Sequence, residues 1–152
     1  MKRFDEGSAM VETALVLPVM VLLFAGVAEL GLAVYDHHQL SKAVRDAARF
    51  LARVPDPTAA EYQAMATNYM RTGSFAGTGS ALVGTDPSKI SVSYTIQAID
   101  NTAKTWNGPD TLWSVHMEAT YPFRSYLLKA VGLAGPDGLP LKVGHTERHI
   151  GE

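Results

Sequence analysis

The sequence predicts an α+β protein: a long N-terminal membrane-spanning helix continuing into an amphipathic helix, then a small head with a second helix and an antiparallel sheet of about three strands. Three observations lead there. Thr13 to Ala28 carries no formal charge, and apolar character resumes after Glu29 as far as Tyr35. Beyond Leu40 the apolar residues recur every three or four positions, and beyond residue 90 they recur every second one. At 152 residues the chain has room for one membrane segment and a head of about a hundred residues, enough for a small core.

The stretch from Thr13 to Tyr35 would rise about 34 Å as a helix, enough to cross a ~30 Å hydrocarbon core with modest tilt. No small-residue cleavage motif follows it, which argues against a secretory signal peptide. Pro18 lies inside the stretch and removes the donor for the Ala14 carbonyl, so a kink or local loosening is expected there. Ala25, Gly26, Ala28, Gly31 and Ala33 would allow close approach of a neighbouring helix, although no strict Gly-x-x-x-Gly occurs. Glu29 stands about 25 Å above Glu12. It has two readings: contact with the far headgroups, or a pairing site for a cation on another subunit.

The helical pattern continues through Leu40, Ala43, Val44, Ala47, Phe50, Leu51 and Val54, one amphipathic stripe. Asp46 can pair with Lys42 or Arg49 at helical spacing. Arg45, Arg49 and Arg53 form a row of like charges, read either as a solvated face or as a docking ridge for an acidic partner. Pro55-Asp56-Pro57 should stop the helix. Thr58-Ala59-Ala60-Glu61 fits a capping box that would start a second helix, with Tyr62, Met65, Ala66 and Tyr69 on its apolar side and Gly73 as its stop. Gly73 to Ser88, rich in Gly, Ser and Thr, reads as a flexible loop.

Ile90, Val92, Tyr94, Ile96 and Ala98 then alternate with polar residues, as do Trp113, Val115, Met117, Ala119 and Tyr121 up to Pro122: two half-buried strands joined by a long turn from Asp100 to Asp110. Arg124 to Leu133 reads as a short helix, Gly135-Pro136-Asp137-Gly138 as a turn, and Leu141 to Ile150 as a third strand that Gly144 interrupts.

Signals for chemistry are lacking. No phosphate loop, dinucleotide fingerprint or nucleophile elbow occurs, so no catalytic residue, cofactor or small-molecule substrate is expected. A net charge of −2 gives no basic field for nucleic acid. The absence of cysteine removes disulfides and thiolate metal sites. His145-Thr146-Glu147-Arg148-His149 resembles a zinc helix only superficially, because Thr146 stands where the zincin order needs Glu and the stretch reads as strand. His116 and Glu118 share a strand face, but two ligands do not make a site. His37, His38 and the others read as structural or solvent histidines, and no metal is expected.

One residue demands an explanation. Glu12 opens the apolar stretch, where a carboxylate costs roughly 2.5–3.5 kcal/mol at mid-bilayer and less near the headgroups. Cleavage between Gly7 and Ser8 would leave a new α-amino group one turn away, able to pair with Glu12 of its own or a neighbouring helix. Gly7-Ser8 followed by Glu12 at the fifth mature position resembles the cleavage site of type IV prepilins, particularly the Tad (tight adherence, Flp) class. The runs Ala9 to Pro18, Gly26 to Gly31 and Ala43 to Ala52 resemble TadE-like pseudopilins, in the right order over roughly the first third of the chain. Thr13 departs from the aromatic usual in that family after the glutamate.

The resemblance implies a leader peptide at 1–7, a transmembrane helix at 8–35, its amphipathic extension at 36–54 and a periplasmic head at 58–152. It implies a single pass through the bacterial inner membrane with the N-terminus cytoplasmic. The charges themselves are equivocal: Lys2 and Arg3 are offset by Asp5 and Glu6, and four cations follow the span. The implied function is a minor pseudopilin, not an enzyme, cut by prepilin peptidase and acting in assembly or priming of a Tad-type type IV pilus for surface adherence. Its partners would be membrane lipid, the peptidase and other pilins and pseudopilins, with Glu12, Glu29 and Pro18 serving subunit assembly. The alternative is an uncleaved single-pass membrane-anchored adaptor or sensor, which keeps residues 1–7 and has no use for Glu12. A membrane-tethered hydrolase has no convergent residues behind it.

Overall fold

The structure, a computed structural model, describes residues 2–103, 111–130, 132, 135 and 137–150. Helix α1 (Lys2–Leu51) is one uninterrupted run of 50 residues that includes Pro18 and passes through Gly7-Ser8 without a break. It ends three residues before Val54. The amides of Ala52 and Arg53 tighten onto the carbonyls of Ala48 and Phe50, and Pro55 bars residue 54 from helical geometry.

Helix α2 (Ala60–Thr72) follows, and here the structure corrects the expected capping box. Ala59 is the N-cap and makes no side-chain cap bond. Thr58 is already engaged: its amide and hydroxyl both donate to Asp56 Oδ1, at 2.8 and 2.6 Å. Asp56 closes its own turn two residues on, a local bond that outcompetes the helix for Thr58. The far end behaves as expected, with Gly73 left-handed at φ 72° and its amide on the Tyr69 carbonyl.

The following segment is not a free tether. Leu82 donates its amide to the Arg71 carbonyl, Arg71 Nε donates to the Ile90 carbonyl, and Val83 is buried. Phe75 stacks on Tyr69 with ring centroids 4.7 Å apart. A single 3-10 turn at Pro87–Lys89, capped by Asp86, leads into the sheet.

Strands β1 (Ser91–Asp100), β2 (Thr111–Phe123) and β3 (Leu139–Arg148) form an antiparallel meander in the order β1-β2-β3. The register pairs Ser91 with Thr120 and Asp100 with Thr111 on one side of β2, and Ser114 with Arg148 and Phe123 with Leu139 on the other. Lys104 to Asp110, most of the expected long turn, lie outside the described residues. Strand β2 continues through Pro122, which stands opposite Pro140 beyond the end of β1, where a missing donor disturbs only one neighbour. Gly144 does not interrupt β3. It sits opposite Glu118, and a Cβ there would come within 3.2 Å of the His116 ring. Helix α3 (Tyr126–Ala130) starts two residues later than the expected 124–133, and Val131 and Leu133 of that expectation lie outside the described residues.

Helix α1 crosses one face of the sheet. Its Leu40, Val44, Ala47, Ala48 and Leu51 pack with Val115, Met117 and Ala119 of β2, and Ala66, Met70, Val83 and Ile90 complete the core. The same helix that would cross the membrane thus supplies one wall of the head.

Candidate functional site

From residue 7 to residue 25 every residue of α1 is exposed. Met10 is 78% and Leu15 71% exposed, a column of apolar side chains with nothing of this chain upon it. Water penalises such a column by roughly 25 cal/mol per Å², whereas lipid accepts it. Glu12 and Pro18 both lie on this stretch. The Thr13 hydroxyl donates to the Ala9 carbonyl at 2.8 Å, so the polar group beside Glu12 is satisfied within the helix.

Glu29 is placed differently from Glu12. Its carboxylate accepts from the Ser125 hydroxyl and, at 2.7 Å, from the Leu127 amide. Ser125 Oγ in turn accepts from the Leu128 amide at 3.0 Å, which makes it the N-cap of α3. The acid on α1 therefore satisfies a donor at the start of a helix nearly a hundred residues away in sequence. One turn nearer the N-terminus, a Cβ built on Gly26 would meet Leu127 Cδ2 at 3.5 Å, an ordinary contact, so α3 lies alongside the helix there. The Ser125-Tyr126-Leu127-Leu128 cap is readable locally. Its partner Glu29 is not, because no sequence spacing links the two.

Arg45, Arg49 and Arg53 are all exposed. Arg49 Nε lies 3.6 Å from Glu147 Oε1 on β3, and the same oxygen bonds His145 Nε2 at 2.9 Å. The His145 hydrogen bond, then the charges of His145 and Arg49, hold the Glu147 carboxyl below its ordinary value. The row is thus tied to the sheet at its middle member.

The histidines go separate ways. His149 is buried and donates from Nε2 to the Val54 carbonyl at 2.7 Å, while its amide bonds the Trp113 carbonyl. His116 Nδ1 meets Thr146 Oγ1 at 2.7 Å, and His37 and His38 are exposed. Among the described residues no three His, Cys, Asp or Glu side chains gather as a metal site would need. The remaining candidates, Gly7 and Ser8, sit on the exposed helical turn that leads to Glu12.

Helix and head together define a class: an α+β head carried on one N-terminal helix long and apolar enough to cross a membrane. Residues 7–49 match the family model described as TadE-like protein. No curated protein and no solved structure matches the chain. The matched span holds Gly7, Ser8, Glu12, Pro18, Glu29, Arg45 and Arg49, while Arg53 and the sheet lie outside it. A TadE-like family points to a structural protein associated with the Tad pilus, and the helix fits a single-pass membrane protein.

Proposed function

We propose that this protein is a minor pseudopilin, cut by prepilin peptidase between Gly7 and Ser8, that assembles or primes a Tad-type type IV pilus. The observation that carries the reading is the coincidence of the family match at 7–49 with an unburied apolar stretch of α1 in which Glu12 is the one acid between Gly7 and Ala28. After cleavage the Ser8 amine lies one turn from Glu12, and an ion pair between them, within one chain or across two, offsets the desolvation of the carboxylate. The helix partitions in lipid and then packs against other pilin helices, Pro18 loosening it locally. The head stays on the periplasmic side and selects the neighbouring subunit; of the row Arg45, Arg49 and Arg53, Arg49 already faces Glu147, which leaves Arg45 and Arg53 for an acidic partner.

Intact-mass measurement of the protein taken from its native membrane tests this. A chain beginning at Ser8 is the expected result. A chain that keeps residues 1–7 while pili form normally with it overturns the proposal and leaves the uncleaved anchored adaptor.

A further inference from the structure

Helix α3 lies beside the membrane helix well below the main core, held by the Glu29 carboxylate on Ser125 and Leu127. That fixes its level: α3 stands where the charge-free stretch of α1 ends. From Ser8 to Glu29 the helix rises about 31 Å, which matches the ~30 Å hydrocarbon core of a bilayer. A bilayer seated on that stretch has its head-side boundary at Glu29, with Leu30 to Tyr35 rising through the headgroup layer.

The side chains of this segment suit that position. Tyr126 is 82% exposed although it belongs to a packed head. Arg124 and Lys129 are exposed on either side of it, and Leu127 and Leu128 are half-buried. A phenol, two cations and a short apolar patch are what membrane–water interfaces collect: the ring sits at headgroup level, and the cations reach lipid phosphates with their stems on apolar surface. The Leu127 and Leu128 amides already have acceptors in Glu29 and Ser125, so these donors carry no desolvation cost at the interface.

Resting on the reading of α1 as a membrane-spanning helix, we propose that α3 is an interfacial seat, with Tyr126 in the phospholipid headgroup layer and Arg124 and Lys129 against lipid phosphates. Through Glu29 and Ser125 the seat joins the head to the bilayer surface beside the span.

The chain has no cysteine, so single-cysteine variants report one position each. Full-length Leu22→Cys, Tyr126→Cys, Lys129→Cys and Ser93→Cys, each carrying an environment-sensitive fluorophore, are reconstituted at high lipid-to-protein ratio into vesicles of phosphatidylethanolamine and phosphatidylglycerol. The expected result is quenching of the Leu22 label by an acyl-chain quencher and of the Tyr126 and Lys129 labels by a headgroup quencher. The Ser93 label, on the exposed part of β1, should respond to aqueous iodide alone. Lys129→Cys keeps Tyr126 in place, so it reads depth with the aromatic anchor intact. If the labels at 126 and 129 are as open to iodide as the one at 93 while the Leu22 label stays in the acyl region, the seat is overturned and the spanning helix stands. An aqueous Leu22 label overturns both. Labels at 126 and 129 shielded from iodide and headgroup quencher alike mark a protein contact and overturn the seat.

Discussion

Gly138 closes the turn into β3 with φ 81°, its amide on the Gly135 carbonyl, and a Cβ there would stand 2.5 Å from the Phe123 carbonyl oxygen. Strain and overlap both oppose any other residue, so Gly138→Ala should cost about 1–3 kcal/mol, read as a lower melting temperature in detergent. His149→Ala removes the donor to the Val54 carbonyl where the chain turns off α1, and a loss of about 1–3 kcal/mol is expected by the same measurement. Acid sensitivity also belongs to single residues. Asp56, Asp86 and Asp100 are held below the ordinary carboxylate value by bonds from Thr58, Ser88 and Thr102, and Glu147 by His145. A depressed folded-state pKa contributes stability above the unfolded value and loses it as pH falls through the folded one. The melting temperature should therefore hold steady at neutral pH and fall once the pH drops below about 4, in or beneath the ordinary carboxylate range.

Among the elements, α1, α2 and β2 share one core, and Met70 of α2 is fully buried in it. Met70→Ala should lower stability by about 2–5 kcal/mol, whereas Met65→Ala, at a half-buried position, should cost clearly less. That contrast marks where sequence reading reached its limit. The period of α2 was legible, but the inferred stripe of Tyr62, Met65, Ala66 and Tyr69 took in Ala66 and missed Met70, the other buried residue of the helix. The α1 stripe and the alternation in β1 and β2 were legible because each period survives in a single local run. The start of α2 was misread because Asp56 competes for Thr58, a choice that the capping-box spacing does not reveal. Val83 was hidden by the Gly, Ser and Thr around it. The Glu29 link to α3 depends on a tertiary approach that no local pattern encodes. Ser125→Ala should speed hydrogen exchange at the Leu127 and Leu128 amides while leaving β2 protected, since it loosens α3 without touching the core.

For the whole molecule, the proposed pilus role turns on Glu12. Glu12→Ala should leave peptidase cleavage largely intact and impair incorporation into the pilus, measured as shed or surface pili against a wild-type control. Equal piliation would remove the assignment. The 50 residues of α1 span about 75 Å, and the bilayer-facing part and the wall of the head belong to the same unbroken helix. Between the local loosening at Pro18 and its end at Leu51 such a shaft carries no further proline to joint it. If it slides outward by one turn, the sheet rides up with it by about 5.4 Å. A push or pull applied among the lipid chains would then reach the surface of the head as a rigid-body displacement, like a piston moving its crown.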